Sequence, residues 1–193
     1  MQQLAALDGN ILLFIQDNLR NPFLTAILRP ITHLGDKGIF WILLTLVLLA
    51  FRQTRKAGIC SCFALVFMVV LNNGIIKHAV NRIRPYEVIE GLQILVGKPD
   101  DASFPSGHTA SSFASSMALM LSLPMVTDRR RVRIFSALAF LMAALIAFSR
   151  LYVGVHYPSD ILGGIVIGVL CGVAGYLAGK GTIALLQEKT KLL

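Results

Sequence analysis

The sequence is poor in charged residues. Only 15% of its 193 residues are Asp, Glu, Lys or Arg, whereas soluble domains average about 25%. Hydrophobic residues make up 55% of the chain and its mean hydropathy is +0.71. These values exclude an ordinary soluble domain and indicate that lipid surrounds the chain. The length is that of one domain, which we expect to span residues 1–193.

Acidic residues and cysteines are also scarce. Ten Asp and Glu stand against 18 Lys and Arg, and the only adjacent acidic pair is Asp100-Asp101. Because a magnesium site needs clustered carboxylates, we expect no metal and no cofactor. The three cysteines lie in apolar runs without a nearby histidine, which predicts packing residues. The net charge of +8 comes largely from short loops beside apolar segments, so we expect no nucleic-acid partner.

Five apolar segments are candidates to cross a membrane: 38–51, 57–76, 105–126, 134–149 and 161–179. A crossing helix needs about 20 apolar residues, so the first and fourth segments need one further turn each. Residues 4–19 and 23–34 are predicted to be amphipathic helices at the interface. Alternatively, 23–34 dips into the membrane as part of a sixth span. The predicted fold is an all-α integral membrane bundle of five to six transmembrane helices, with interfacial helices in 1–35 and the catalytic bundle in 38–180.

Basic residues cluster at 52–56, 129–133 and 180–191. With five spans, all three clusters fall on one face, which the excess of Lys and Arg assigns to the cytoplasm. The loops 77–104 and 150–160 then lie outside, and every candidate catalytic residue is in or beside them. We therefore expect a multi-pass protein of the cell membrane with its active site on the extracytoplasmic face.

Three short groups of residues near these outer loops point to phosphate chemistry. They are Lys77, Arg84 and Pro85; then Phe104-Pro105-Ser106-Gly107-His108; then Ser149-Arg150, His156 and Asp160. Proline suits the first position of a helix, and the free N–H groups of a helix start bind phosphate. Gly107 allows a ligand to approach the backbone closely, and Ser106 adds a hydroxyl donor. The second group therefore predicts an anion site at a helix start.

The third group predicts a nucleophile. His156 and Asp160 are four residues apart, so a helix beginning near Pro158 lets the carboxylate orient one imidazole nitrogen and leaves the other free to attack. His156 then forms a phosphohistidine, while His108 protonates the leaving lipid oxygen. The cations Lys77, Arg84 and Arg150 neutralise the phosphate oxygens, as phosphoryl transfer requires. Arg82 is predicted only to extend from a span end towards the lipid headgroups.

Together the groups resemble the three-part signature of the type 2 phosphatidic acid phosphatase superfamily, which is shared with vanadium haloperoxidases. The matching positions are Lys77-x6-Arg84-Pro85, Pro105-Ser106-Gly107-His108 and Ser149-Arg150-x5-His156-x3-Asp160, with every spacing kept. The resemblance implies a metal-independent helical phosphatase. It implies that His156 is the nucleophile, His108 the acid and Asp160 the orienting residue. The phosphate would be held by Lys77, Arg84, Ser106, Gly107 and Arg150.

The substrate implied by the resemblance is a membrane lipid phosphate or pyrophosphate. Small membrane members of the superfamily act on undecaprenyl pyrophosphate, phosphatidylglycerol phosphate or related lipids. An outer-face site favours undecaprenyl pyrophosphate, with phosphatidylglycerol phosphate as the alternative and lipid A phosphate as a more distant candidate. A different class of function is a non-catalytic lipid-binding or transport protein on the same scaffold. Such a protein would need the cations but not His108, His156 and Asp160.

Overall fold

Within residues 2–191, which the computed structural model describes, the chain folds into helices and loops without a β-strand. The helices are α1 Gln2–Phe14, α2 Pro22–Leu34, α3 Ile39–Ala50, α4 Arg55–Met68, α5 Lys77–Val80, α6 Pro85–Val88, α7 Gly107–Ser122, α8 Arg129–Tyr152 and α9 Pro158–Lys191. Two π-helical segments, Ile15–Leu19 and Val69–Ile76, extend α1 and join α4 to α5. The predicted all-α membrane fold is confirmed.

Length and apolar composition qualify three helical stretches of the described chain as membrane spans: Arg55–Val88, Arg129–Tyr152 and Pro158–Glu188. Helices α2 and α3 qualify as a fourth span only together, and they are bent by 51° at the break between them. This bent pair corresponds to the alternative in which residues 23–34 enter the membrane. Large apolar side chains such as Leu46, Val66, Leu138 and Leu170 are exposed on the helices, as expected of surfaces that face lipid.

Helix α7 is the centre of the bundle and packs against α4, α8 and α9. The face of α9 towards α7 carries glycine at every fourth position. A Cβ atom at Gly168 would lie 2.6 Å from the carbonyl oxygen of Ala110, and one at Gly172 would lie 2.7 Å from that of Ala114. Small residues let two helices approach closely in lipid. This contact fixes the start of α7 relative to the start of α9.

One end of the bundle gathers the starts of α3, α7 and α9 and the ends of α5 and α8. We call it the cavity end. The basic cluster 129–133 begins α8, whereas Arg150 lies in its last turn. At 1.5 Å per residue the two are separated by about 30 Å along the helix, close to the thickness of the hydrocarbon core. The basic cluster 129–133 and the cavity end therefore lie at opposite ends of the bundle.

Candidate active site

The cavity end contains a cavity of about 670 Å³. Six of the eight site residues predicted from the sequence line it: Lys77, Arg84, Gly107, His108, Arg150 and His156. The other two, Ser106 and Asp160, are fully buried behind it. The three groups, which span more than 80 residues of sequence, are thus brought together around one space.

His156 lies in the loop between α8 and α9 and is 1% exposed. Its Nδ1 is 3.3 Å from Oδ2 of Asp160, and its Nε2 is 3.3 Å from Nη1 of Arg84. Burial lowers the pKa of His156 to about 3; the hydrogen bond to Asp160 opposes this shift, and the charges of Arg84 and Arg150 add to it. The imidazole is therefore neutral at physiological pH, with its Nε2 directed towards the cavity.

Asp160 holds His156 from behind, because α9 begins at Pro158 and so places Asp160 in its first turn. The carboxylate accepts hydrogen bonds from the Ser103 hydroxyl at 2.5 Å and from the backbone N–H of Tyr157 at 2.9 Å, both at Oδ2. Its Oδ1 accepts from Arg82 at 2.7 Å. A buried carboxylate with this many donors has a fixed orientation and compensated charge.

Arg82 does not extend towards the headgroups, so that prediction is wrong. Its guanidinium donates to Asp160 Oδ1 at 2.7 Å, to the Ser159 hydroxyl at 2.7 Å and to Asp8 Oδ2 at 2.8 Å. The reason lies in the backbone, because Asn81 adopts a left-handed conformation with φ of 43°, which ends the helix and turns the chain towards α9. Arg82 therefore links Asp8 of α1 to the carboxylate behind His156.

The three predicted phosphate-binding cations are buried: Lys77 is 7% exposed, Arg84 4% and Arg150 3%. The carboxylate of Asp101 contacts two of them. It accepts from Nζ of Lys77 and, at 2.5 Å, from Nη2 of Arg84, whose Nε also donates to the Asp101 carbonyl at 2.9 Å.

The charge state of Asp101 follows from these partners. Burial alone would raise the pKa of Asp101, but hydrogen bonds and charges from Lys77 and Arg84 lower it to about 2. From the sequence Asp101 was interpreted only as half of an incomplete metal site. In the structure it is a partner of two cations and is ionised at neutral pH.

Arg150 reaches the cavity from the last turn of α8. Its Nη1 donates to the hydroxyl of Thr32 at 2.7 Å. Its Nε is buried and has no hydrogen-bond partner among the described residues. The N–H group at Nε of Arg150 therefore remains available as a donor beside the cavity.

His108 lies in the first turn of α7 and contacts a carboxylate that the sequence did not single out. Its Nε2 is 2.9 Å from Oδ1 of Asp36, and Oδ2 of Asp36 is 2.8 Å from Nδ1 of His33. Asp36 follows Gly35 in the turn between α2 and α3. A Cβ atom at Gly35 would lie 2.5 Å from Cδ2 of His108, so only glycine lets the turn pass this close to the imidazole.

The start of α7 differs from the prediction in one respect. The helix begins at Gly107, so Pro105 precedes it and Ser106 is its N-cap. The Ser106 hydroxyl accepts from the N–H of Thr109 at 3.4 Å and from its hydroxyl at 3.0 Å. Both bonds use the Ser106 oxygen as an acceptor, so the direct donation of its own proton to phosphate stays a prediction. This hydroxyl is used to cap the helix, and it leaves the N–H groups of the first turn beside Gly107.

A family model described as the PAP2 superfamily matches residues 55–182. Undecaprenyl-diphosphatase of Sulfolobus acidocaldarius is 34% identical over 128 residues, which are 66% of this chain but only 58% of that protein. Undecaprenyl-diphosphatase BcrC of Bacillus subtilis is 32% identical over 156 residues, 79% of this chain and 73% of that protein.

The fold has a solved relative as well. The crystal structure of a transmembrane PAP2-type phosphatidylglycerolphosphate phosphatase from Bacillus subtilis aligns with a TM-score of 0.74 and 25% identity, over 95% of this chain and 88% of that chain. The matched segment 55–182 contains all three groups that surround the cavity. This multi-pass membrane protein therefore belongs to the PAP2 superfamily, and the relatives it matches are lipid phosphatases.

Proposed function

We propose that the protein hydrolyses a lipid phosphate or pyrophosphate without a metal ion, through a phosphohistidine at His156, and that undecaprenyl pyrophosphate is its substrate. One observation carries the proposal. Two histidines and three buried cations converge on a single cavity of about 670 Å³ at the start of α7. Binding a lipid phosphate would require the cations, but it would not require a neutral imidazole held by a buried carboxylate.

In this mechanism the substrate phosphate replaces the carboxylate of Asp101. Its oxygens take over the contacts to Lys77 and Arg84 that Asp101 makes in the free protein. Arg150 adds a third cation. The N–H groups at the start of α7 contribute further donors, because Gly107 has no side chain to keep the phosphate away.

The reaction then proceeds in two displacements. Arg84 leaves Nε2 of His156 for a phosphate oxygen, and the freed lone pair attacks phosphorus. The N–P bond forms as the bond to the leaving oxygen breaks, and His108 gives its proton to that oxygen. Water next attacks phosphorus and passes a proton to His108. The N–P bond breaks and inorganic phosphate leaves.

Two findings support undecaprenyl pyrophosphate as the substrate. Two relatives bear the name undecaprenyl-diphosphatase. The cavity is also lined by Lys37 and Lys98, which supply positive charge beyond the three buried cations and suit a second phosphate group. The alternative is phosphatidylglycerol phosphate, since the solved relative is a phosphatidylglycerolphosphate phosphatase.

Phosphate release by the purified protein in detergent, with a chelator present, tests the chemistry. We expect release to persist with chelator and to fall by about 10²-fold or more in His108→Ala and further in His156→Ala. Substrate labelled in the terminal phosphate should leave an acid-labile, alkali-stable label on the wild-type protein but not on His156→Ala. His78→Ala is the matched control, because His78 is exposed.

The outcomes separate the classes of function. Unchanged turnover in His156→Ala would contradict the phosphohistidine. Tight binding of lipid phosphate without any release by the wild-type protein would indicate the non-catalytic alternative. Rates on undecaprenyl pyrophosphate and phosphatidylglycerol phosphate, measured side by side, test the substrate, and faster hydrolysis of the latter would overturn our choice.

We further propose that the cavity end faces the outside of the cytoplasmic membrane, because the basic cluster 129–133 lies at the other end of the bundle. A single cysteine at Lys98, in a variant without the native cysteines, should react with a membrane-impermeant thiol reagent in intact cells. A cysteine at Arg131 should be protected until the cells are opened. The reverse pattern would refute this orientation.

A further inference from the structure

We propose that Asp36 is a positioning residue for His108 and favours the protonated form of that imidazole, which the leaving oxygen requires. The inference rests on the proposed role of His108 as the acid. It assigns a function to the turn between α2 and α3, which lies outside the three groups and outside the matched segment 55–182.

The geometry joins two distant parts of the chain. Oδ1 of Asp36 is 2.9 Å from Nε2 of His108, and the two residues are 72 positions apart. Oδ2 of Asp36 is 2.8 Å from Nδ1 of His33, one turn earlier on α2. Both carboxylate oxygens are therefore engaged, and the close passage of Gly35 against the ring holds His108 in contact with them.

The charges around His108 explain why it needs a carboxylate. Burial of the imidazole is the largest effect that opposes its protonation, and the positive charges of Arg150 and Lys77 oppose it further. The remaining charged or titratable groups lining the cavity are Arg84, His156, Lys37, Lys98, His33, Asp100 and Asp101, and Asp101 is paired with Lys77 and Arg84. In the described part of the chain, Asp36 is the carboxylate that contacts His108. An anion at hydrogen-bond distance favours imidazolium over imidazole.

The two histidines thus have carboxylates of different character. Asp160 is fully buried and shared among several donors, and it orients a neutral His156. Asp36 is half-exposed and contacts only His108 and His33 among the described residues. Because Nε2 of His108 is hydrogen-bonded to Asp36, Nδ1 is the nitrogen that can give its proton to the leaving oxygen. The same imidazole would recover a proton from the attacking water.

The test compares leaving groups. An acid matters most when the leaving group is a poor one, such as the alkoxide of a diacylglycerol phosphate, and least for p-nitrophenyl phosphate. Asp36→Asn keeps the size of the side chain and removes the charge. We expect kcat on diacylglycerol phosphate to fall about tenfold or more and kcat on p-nitrophenyl phosphate to change less than about threefold. The basic limb of the pH profile should move to lower pH, because the imidazolium loses its anion.

Further variants separate the outcomes. Asp36→Glu should recover most of the rate. Asp128→Asn, an exposed carboxylate at the opposite end of the bundle, should behave as wild type. If Asp36→Asn does not fold, Asp36→Ser, which also removes the charge, must give the same preferential loss on diacylglycerol phosphate. Equal losses on both substrates, or an unmoved pH profile, would overturn the inference. If His108→Ala lowers kcat equally on diacylglycerol phosphate and on p-nitrophenyl phosphate, His108 is not the acid, and the proposed mechanism is refuted.

Discussion

The Asp101 carboxylate contacts the two cations on which the substrate phosphate is proposed to bind, so neutralising it should strengthen phosphate binding. Asp101 is about half-exposed, with 52% of its side chain accessible. Each of its two charged contacts is therefore taken at about 0.5–1 kcal/mol. Together they amount to about 1–2 kcal/mol, which corresponds to about 5- to 30-fold in affinity. Asp101→Asn should gain that factor, because phosphate no longer displaces a competing anion.

The assay is competitive inhibition by inorganic phosphate in detergent. In Asp101→Asn we expect the inhibition constant of inorganic phosphate and the KM for substrate each to fall about 5- to 30-fold. Asp100→Asn is the matched control: its carboxylate is exposed and has no ion pair in the part of the chain that the structure describes, so it should change either constant less than about twofold. The pKa of Asp101 is lowered to about 2, so the wild-type carboxylate is ionised at the neutral pH of the assay and competes there as an anion.

One result would refute this reasoning. If Asp101 serves instead to hold Lys77 and Arg84 in place, Asp101→Asn would bind inorganic phosphate more weakly and lose turnover together. A weaker inhibition constant in a variant that still unfolds at the wild-type temperature would therefore show that the carboxylate supports the cations rather than competes for them.

Three further changes test the surrounding structure by thermal unfolding in detergent and by turnover. Arg82→Gln leaves the buried carboxylate of Asp160 without its cation and should cost about 3 kcal/mol of stability and lower kcat. Unchanged values would contradict the contact between Arg82 and Asp160. Gly168→Ala places a Cβ 2.6 Å from a backbone oxygen and should cost about 1–3 kcal/mol, whereas Gly181→Ala, with open space there, should not destabilise. Ser106→Ala removes a helix cap and should cost about 1 kcal/mol, while a loss of phosphate affinity much larger than that of kcat would support the predicted donation from Ser106 to phosphate.

The helices and most residues of the candidate site were predictable because their signals are local. Apolar runs located the helices of the bundle, and proline at position 158 placed the start of α9, which in turn set Asp160 one turn from His156. The spacing within each group is short enough for helix geometry to fix the relative positions of its members. That the three groups surround one cavity is visible only in the folded chain. The alternation of spans already implied that all three lie at the same end of the bundle.

The residues that were missed have partners far away in the sequence. Asp36 is 72 positions from His108, and Asp101 is 24 from Lys77. No residue next to Asp36 or Asp101 in the sequence indicates which distant side chain it contacts. Arg82 was misinterpreted for the same reason, because its carboxylate partners come from α1 and α9. Such contacts depend on the bend at Gly35 and on the left-handed turn at Asn81, which composition and periodicity do not reveal.

These missed carboxylates follow from one electrostatic requirement. Three cations buried around one cavity repel one another, and each loses hydration near the membrane. A fold that keeps them together needs anions beside them, and Asp101 supplies that charge in the free protein. In the proposed mechanism the incoming phosphate exchanges with a carboxylate instead of binding bare cations, which lowers the affinity for substrate and product alike. Weak binding of inorganic phosphate favours turnover, because the product of each cycle must leave the same cations before the next lipid can bind.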